Sequence, residues 1–312
     1  MSAAKSTTDR KVRKTEGFRV AEQAVWDRYG LTPRERMVEA GGTLVRVNEV
    51  GDGPPILFVH GSGGSGAYWS PLVQHLQGRF RCLLMDRPGW ANTAPIDYSR
   101  TAFGTIAADL LEGVLAALAI DRAHAIGGSI GDLFVLRLAI ARPARVDRVV
   151  LLGGGPLVNE IEPPTFIRLL RSPFGRVLVR IPQKPGMIRK QMEGLGHKRS
   201  LASGEIPAEL INLYSATSRH TEAMRYERDL VRSVLTKRGW VPGFALSDSE
   251  LPSVAAPTLM IYGSDDPVGS LPLWDKFAGS LPNGTLWTAP GCGHLPWYDK
   301  PREVAGQVTS FL

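Results

Sequence analysis

Short apolar segments of strand length recur along the chain, separated by segments with helical periodicity. Residues 43–50 (TLVRVNEV) alternate between apolar and polar side chains, as a half-buried strand does, whereas residues 56–60 (ILFVH) are continuously apolar, as in a buried parallel strand. Similar strand-like segments lie at residues 81–86, 123–127, 146–153, 258–262 and 285–289. Helical patterns lie near residues 70–78, 101–119, 130–141, 270–279 and 301–311. This alternation predicts an α/β fold with a mostly parallel, doubly wound sheet of about eight strands.

The alternation is interrupted between residues 157 and 250, where helical patterns and scattered prolines replace it. Because a strand follows again near residue 258, this segment is interpreted as a helical cap or lid inserted after the sixth strand. Residues 35–156 and 251–312 then form the α/β core. Residues 1–34 form a third part, with a basic leader followed by an amphipathic helix at 18–29.

The composition is ordinary for a soluble globular protein. Its 312 residues are 43% hydrophobic and 21% charged, so a substantial core can form. No apolar run approaches the length of a membrane-spanning helix, and the polar, basic N-terminus is unlike a secretory signal. Two cysteines cannot build a disulfide framework, and no Cys/His cluster has zinc spacing. We therefore expect a cytoplasmic protein without a metal.

The formal charge of +7 is unevenly distributed. Residues 1–14 hold five basic residues and one acidic residue, and residues 157–250 hold 15 basic and 10 acidic residues. No nucleic-acid motif accompanies this excess, so we expect a small-molecule substrate rather than a nucleic acid. A solvated basic face, an anionic substrate or peripheral contact with a membrane would each use the charge, and a homodimer is left open.

The motif with the clearest chemical meaning is G-x-S-x-G at residues 127–131. It directly follows a predicted strand and begins a predicted helix, which is the context of a nucleophile elbow. Gly127 and Gly131 allow neighbouring backbone to pass close to Ser129, and the helix N-terminus favours negative charge there. The alternative is an ordinary glycine-rich turn with Ser129 as a helix cap.

Two downstream loops supply partners for this serine. His294 follows the last strand, and Asp265 and Asp266 follow the strand before it, all at predicted carboxyl ends of the sheet. A serine nucleophile needs a base, and the base needs an acid that orients it. The order serine, aspartate, histidine along the chain is that of α/β hydrolases.

A glycine-rich loop at residues 60–66 (HGSGGSG) follows the predicted strand 56–60. Its backbone N–H at Ser62, together with that of Ile130, would form a two-donor oxyanion hole. A phosphate-binding loop is the competing interpretation, but the Walker lysine is absent.

The chain resembles the α/β-hydrolase fold superfamily through VHGSGGSGAYW (59–69), MDRPGWANT (85–93), AIGGSIGD (125–132), IYGSDDPV (261–268) and APGCGHLPW (289–297). The resemblance implies Ser129 as nucleophile, His294 as base and Asp266 as acid, with Asp265 as the alternative acid. It also implies oxyanion donors at Ser62 and Ile130, structural glycines at Gly61, Gly127 and Gly131, and no cofactor. Asp132 departs from the small residue that the family usually has there, and its role is left open.

A serine nucleophile favours acyl chemistry and disfavours the dehalogenases and epoxide hydrolases of this fold, which attack with aspartate. The expected activity is therefore hydrolysis of an acyl bond, foremost a carboxylic ester of a small lipophilic substrate. The alternative is a C–C bond hydrolase of a diketone-like acid, which residues 60–69 resemble, although Leu295 follows His294 where those enzymes usually have tryptophan. A lyase, a cofactor-free peroxidase-like enzyme or a binding protein of the same fold also remains open.

The apolar cap residues Phe166, Ile167, Leu169, Leu170, Phe174, Val177 and Leu178 suggest either a lipophilic pocket or the packed interior of the cap. The arginines at 168, 171, 176 and 180 recur at roughly helical spacing. They suggest either a solvated face or a clamp for a substrate carboxylate.

Overall fold

The computed structural model describes residues 16–91, 93–99 and 101–312. The predicted basic leader at residues 1–14 therefore lies outside the described residues. Eight strands form the main sheet: β1 (Arg34–Ala40), β2 (Thr43–Val50), β3 (Pro55–Val59), β4 (Arg81–Met85), β5 (Ala123–Gly128), β6 (Val146–Leu152), β9 (Thr258–Gly263) and β10 (Gly284–Ala289). A separate two-stranded hairpin consists of β7 (Leu235–Thr236) and β8 (Gly239–Trp240).

The strand order in the main sheet is β1-β2-β4-β3-β5-β6-β9-β10. Strands β1 and β2 form an antiparallel hairpin, and β2 is also antiparallel to β4, whereas β3, β4, β5, β6, β9 and β10 are mutually parallel. The predicted fold, a mostly parallel α/β-hydrolase sheet, is confirmed. Strand β1 has no clear apolar pattern because five of its seven residues are exposed (RERMVEA).

Helices cover both faces of the sheet. One face packs against α3 (Phe103–Ala117), α4 (Ile130–Ala141) and α11 (Leu271–Gly279). The other packs against α1 (residues 16–28), α2 (Ser70–Leu76), and the C-terminal helices α12 (Pro296–Asp299) and α13 (Pro301–Phe311). Strand β3 shows the division directly, because Leu57 and Val59 belong to the first apolar cluster and Ile56 and Phe58 to the second. A strand whose two faces are both buried must be apolar throughout.

Between β6 and β9 the chain leaves the sheet and forms helices around the hairpin β7–β8. They are α5 (Thr165–Arg171), α6 (Gly175–Leu178), α7 (Pro185–Met192), α8 (Lys198–Ser203), α9 (Ala208–His220) and α10 (Ala223–Val234). A five-residue π-helical segment, Glu193–His197, joins α7 to α8. This helical insertion follows the sixth strand of the sheet.

A buried arginine ties α1 to the sheet. Arg46 on β2 has no solvent exposure, and its guanidinium donates hydrogen bonds to the carboxylate of Glu22 on α1 and, at 2.5 Å, to Asp86 after β4. Asp86 in turn accepts a hydrogen bond of 2.7 Å from the backbone N–H of Gly66. The positive charge of Arg46 therefore balances the charges of two buried carboxylates. One of them, that of Asp86, anchors the loop at residues 60–66.

Replacing Arg46 with methionine should lower the free energy of unfolding by about 3–5 kcal/mol, because Glu22 and Asp86 would remain buried without their cation. The matched control is Arg34→Met, since Arg34 is 64% exposed and its partner Glu49 also pairs with Arg36 and Arg81. That control should cost under about 1 kcal/mol. Urea unfolding of both variants measures the difference, and equal losses would contradict the role assigned to Arg46.

Candidate active site

Ser129 lies at a sharp turn between β5 and α4. Its backbone φ of 55° and ψ of −125° place it outside the regions that residues with a side chain normally adopt. Such a conformation costs about 1–3 kcal/mol and persists only when the surroundings enforce it. Its N–H donates a hydrogen bond of 3.0 Å to the carbonyl of Leu152 at the end of β6. The serine is thus held at the carboxyl edge of the sheet, as the sequence predicts for a nucleophile elbow.

The three motif glycines lie where the backbone is crowded. A Cβ atom at Gly131 would overlap the carbonyl oxygen of Val59, and one at Gly61 would lie 2.9 Å from the Cβ of Ser129. A Cβ at Gly127 would lie 2.5 Å from the backbone of Asp132. The contacts explain why this turn needs glycine on either side of the serine.

His294 pairs with Asp266 and not with Asp265. Its Nδ1 lies 2.9 Å from Oδ2 of Asp266, and the other oxygen of that carboxylate accepts a hydrogen bond from the N–H of Val268. Both partners are almost fully buried. Asp265 is exposed, and its carboxylate accepts a hydrogen bond from the hydroxyl of Ser264. The pairing leaves Nε2 of His294 as the free ring nitrogen.

Ser129 and His294 line the same cavity. The loop after β6 packs against the backbone of both residues. A Cβ at Gly153 would overlap the carbonyl oxygen of His294, and a Cβ at Gly155 would overlap that of Ser129. Within the described part of the chain the Ser129 hydroxyl forms no hydrogen bond. It is therefore free to face a molecule in the cavity.

The predicted oxyanion donors, Ser62 and Ile130, also line this cavity. Among the residues that the structure describes, neither backbone N–H donates to another backbone carbonyl. Ile130 is the first residue of α4, so its N–H is one of the unpaired donors at a helix N-terminus. Both groups remain available to a developing negative charge.

A buried glutamate of the helical insertion between β6 and β9 holds the loop that carries Ser62. The hydroxyl of Ser62 donates a hydrogen bond to Glu227 on α10, and Arg87 and Trp90 donate to the same carboxylate at 3.2 and 3.1 Å. Arg87 also donates to the carbonyl of Gly61. No local motif marks Glu227, so its role is not visible in the sequence.

A second histidine–aspartate pair holds the loop that carries His294. Nδ1 of His197, in the cap, lies 2.9 Å from a carboxylate oxygen of Asp299, and that carboxylate also accepts the N–H of Gly293 at 2.8 Å. Nε2 of His197 accepts the N–H of Leu295 at 3.1 Å. Together with the bond from the N–H of His294 to the carbonyl of Leu195, these contacts fix the loop on both sides of His294. No sequence signal indicated this pair, whose members are 102 residues apart.

His60 is structural. Its ring is buried, Nε2 accepts the N–H of Arg87 at 2.9 Å, and Nδ1 lies 2.8 Å from the carbonyl of Gly61. Burial and the nearby Arg87 cation hold the pKa of His60 well below its ordinary value, so the ring is neutral.

The cavity has a volume of about 500 Å³ and a largely apolar wall. From the cap it receives Ile167, Leu170, Ile188, Leu230 and Val234, and from the core Trp69, Trp90 and Leu295. Among the described residues, no lysine or arginine lines it, and its one carboxylate, that of Glu227, is already engaged.

The cap arginines do not form a carboxylate clamp in this cavity, because none of Arg168, Arg171, Arg176 and Arg180 reaches its wall. Of the predicted apolar set, Phe166, Ile167 and Leu170 line the cavity, whereas Leu169, Phe174 and Val177 are exposed. Leu178 is half-buried.

Across the described residues, no group of three or more His, Cys, Asp or Glu side chains is arranged to bind a metal ion. In the same part of the chain, no helix has both the length and the apolar character needed to cross a bilayer.

Asp132 is fully buried beneath the elbow and does not line the cavity. One carboxylate oxygen accepts the N–H of Leu152 at 3.1 Å, and the other has no hydrogen-bond partner among the described residues. Burial, opposed by that hydrogen bond and reinforced by the nearby charge of Asp266, raises the pKa of Asp132 well above its ordinary value. The carboxyl group therefore joins the elbow helix to the end of β6.

Comparison with known proteins identifies the family. A family model described as alpha/beta hydrolase fold matches residues 54–301, and the chain therefore belongs to this family. A 2-hydroxy-6-oxo-2,4-heptadienoate hydrolase of Pseudomonas putida is 30% identical over 280 residues, covering 89% of this chain and 95% of the relative. A 2-hydroxy-6-oxononadienedioate/2-hydroxy-6-oxononatrienedioate hydrolase of Cupriavidus pinatubonensis is 28% identical, covering 90% and 95%.

Solved structures agree on the fold. A carboxylesterase of Bacillus subtilis superposes with a TM-score of 0.74 at 18% identity, covering 96% of this chain and 98% of that one. A meta-cleavage product hydrolase of Pseudomonas fluorescens gives 0.70 at 22%, covering 88% and 96%. The relatives are hydrolases, which supports a hydrolase here. Their names fit the alternative expectation of C–C bond hydrolysis at least as well as ester hydrolysis.

Replacing Asp132 with asparagine should stabilise the protein increasingly as pH rises. A carboxyl group whose pKa is raised by folding contributes stability below its unfolded pKa, near 3.9, and loses that contribution as pH rises through the folded pKa. Asparagine does not ionise, so the variant loses no stability in this way as pH rises. Its side-chain oxygen can still accept the hydrogen bond from the N–H of Leu152. Urea unfolding of both proteins from pH 4 to 8 measures this difference, and a difference independent of pH would contradict the assigned titration.

Proposed function

We propose that the protein is a serine-nucleophile hydrolase that cleaves a carboxylic ester of a small, lipophilic acid through an acyl-enzyme. The observation that carries the proposal is the placement of Ser129 and the Asp266-bound His294 on one apolar cavity without a lysine or arginine in its described wall. Such a wall favours binding of a neutral substrate that has an apolar part to bury.

The proposed reaction uses these groups in sequence. With Nδ1–H of His294 donating to Asp266, the unprotonated Nε2 takes the proton of Ser129 as its oxygen attacks the substrate carbonyl. The resulting oxyanion accepts hydrogen bonds from the N–H groups of Ser62 and Ile130. His294 then protonates the leaving alkoxide, and water activated by the same histidine hydrolyses the acyl-enzyme.

Within this proposal, residues 35–156 and 251–312 are the catalytic core, and residues 157–250 are a cap that sets specificity. The wall supports this division because its nucleophile, base and oxyanion donors come from the core and much of its apolar surface comes from the cap. The predicted cytoplasmic location remains part of the proposal.

Hydrolysis of a C–C bond in a 2-hydroxy-6-oxo acid is the second candidate, and the names of the sequence relatives favour it. Against it, the substrates in those names are anionic acids, and a buried carboxylate needs a cation or several donors. The described wall offers no lysine or arginine, and Leu295 replaces the tryptophan expected after the histidine.

A substrate panel separates the two candidates. Neutral esters of increasing acyl length should be hydrolysed with kcat/KM rising until the chain fills the cavity, whereas a 2-hydroxy-6-oxodienoate should be cleaved slowly or not at all. Faster cleavage of the dienoate than of every ester would reverse the assignment. Labelling of wild type by a fluorophosphonate without turnover of either class would favour a binding protein or lyase of the same fold.

Replacing Ser129 with alanine should lower kcat by about 10⁶-fold, as in comparable triads, and abolish fluorophosphonate labelling. The exposed Ser99 offers a matched control, because it lies outside the cavity wall. Ser99→Ala should retain full activity. Near-normal turnover by the Ser129 variant would refute its role as nucleophile.

Replacing His197 with alanine should lower kcat by about 10²-fold with little change in KM, because a base displaced by about 1 Å loses its alignment while the apolar residues of the cavity stay in place. His75→Ala is the control, since His75 on α2 lies away from the cavity. Steady-state kinetics on folded variants, verified by circular dichroism, provides the measurement. A rise in KM at constant kcat would show that His197 acts on substrate binding instead.

A further inference from the structure

The outer surface of the cap has an unusual composition. Residues 163–192 contain seven basic residues and no acidic residue. The same segment holds six of the large apolar side chains that are most exposed in the described structure: Phe166 (41%), Leu169 (43%), Phe174 (76%), Val177 (61%), Ile181 (47%) and Met187 (44%). We call this segment, with α5, α6 and α7, the basic apolar surface.

Most of these cations have no counter-charge. Among the described residues, Arg176, Arg180, Lys184 and Lys190 form no ion pair, while Arg168 pairs with Glu162. Burial and the neighbouring guanidinium groups of Arg232 and Arg176 lower the pKa of Arg228 on α10, so Arg176 adjoins further cations. The charge on this face is therefore available to an anionic partner.

The apolar side chains do not belong to the packed interior of the cap. That interior is formed by Leu170, Val231 and Leu235, with Ile167 and Leu178 against them. Phe174 and Val177 point away from this cluster into solvent, at the turn between α5 and α6 and on α6 itself. Exposed phenylalanine next to unpaired arginine is the side-chain combination that binds the interface of a charged bilayer.

The same helices separate this surface from the cavity. Ile167, Leu170 and Ile188 face the cavity, whereas Leu169, Phe174 and Met187 face solvent. Phe166 does both, since it lines the cavity and is 41% exposed. The outer surface is thus continuous with the cavity at Phe166.

We propose that the basic apolar surface docks the protein on an anionic lipid bilayer, with Phe174 and Val177 inserted among the acyl chains and the surrounding arginines and lysines against the headgroups. Docking would place the rim of the cavity at Phe166 next to the membrane. A lipophilic ester dissolved in that membrane then reaches the cavity without crossing water. The nature of this substrate rests on the proposed function, whereas the docking does not.

Sedimentation of the full chain with vesicles tests the proposal. Wild type should sediment with phosphatidylcholine vesicles that contain phosphatidylglycerol and remain in solution with phosphatidylcholine alone. Binding should weaken as salt is raised, because the Debye length shortens to about 3 Å at 1 M. Ser129→Ala should sediment like wild type, so that the docking is tested independently of any hydrolytic activity.

Two surface variants locate the contact. Arg176→Gln combined with Arg180→Gln should reduce the partition coefficient by about 25-fold, at roughly fivefold for each basic residue near an anionic surface. Phe174→Ser combined with Val177→Ser should reduce it on the order of tenfold by removing buried apolar area. The controls change exposed residues outside the helical insertion. They are Leu271→Ser, at a site 46% exposed, and Arg79→Gln combined with Arg302→Gln. Both controls should bind like wild type.

Three results would overturn the proposal. They are failure of wild type to sediment with the vesicles that contain phosphatidylglycerol, equal binding by the surface variants and wild type, and loss of binding on deleting residues 1–15 while both surface variants still bind. The last result would assign the contact to the basic N-terminal segment instead.

Discussion

The conformation of Ser129 depends on close backbone contacts at the ends of three neighbouring strands. Its positive φ is unfavourable by itself, and it is held where the backbone after β3, β5 and β6 passes within contact distance. Gly61, Gly131 and Gly155 each lack a Cβ where one would collide with that backbone. The strain lies in the backbone of Ser129 itself, whereas the contacts that enforce it come from distant parts of the chain. The hydroxyl is therefore presented to the cavity only in the folded protein.

The helical insertion between β6 and β9 does more than cover the cavity, because its side chains hold two loops of the site in position. Glu227 of α10 binds the loop that carries Ser62, and His197 with Asp299 binds the loop that carries His294. Residues of both loops line the cavity, and each loop is held by a buried carboxylate. Removing the cap would therefore loosen both the proposed oxyanion donors and the proposed base, besides exposing the cavity to water.

Charge is divided between the two sides of the cap. Its inner side adds apolar residues to the cavity, and its outer side holds arginines and lysines that form no ion pair within the described part of the chain, beside exposed apolar groups. Burial explains the division, because an unpaired guanidinium inside the cavity would lose its hydration without gaining a partner. The resemblance in sequence to C–C bond hydrolases thus accompanies a cavity whose described wall holds no lysine or arginine.

The sequence alone was sufficient for the parallel sheet, the insertion after the sixth strand and the elbow at Ser129, because each depends on local periodicity or on glycines adjacent to one serine. It did not reveal β1, whose residues are largely exposed and polar. The choice of Asp266 over Asp265 was suggested by family spacing, but the hydrogen bond to His294 was visible only in three dimensions. The choice between a solvated face and a clamp for the arginines at 168, 171, 176 and 180 likewise depends on the cavity wall, and the role of Asp132 depends on its burial. Glu227, His197 and Asp299 carry no signal in the sequence for the same reason. Their partners are distant along the chain, and only the tertiary structure brings them together.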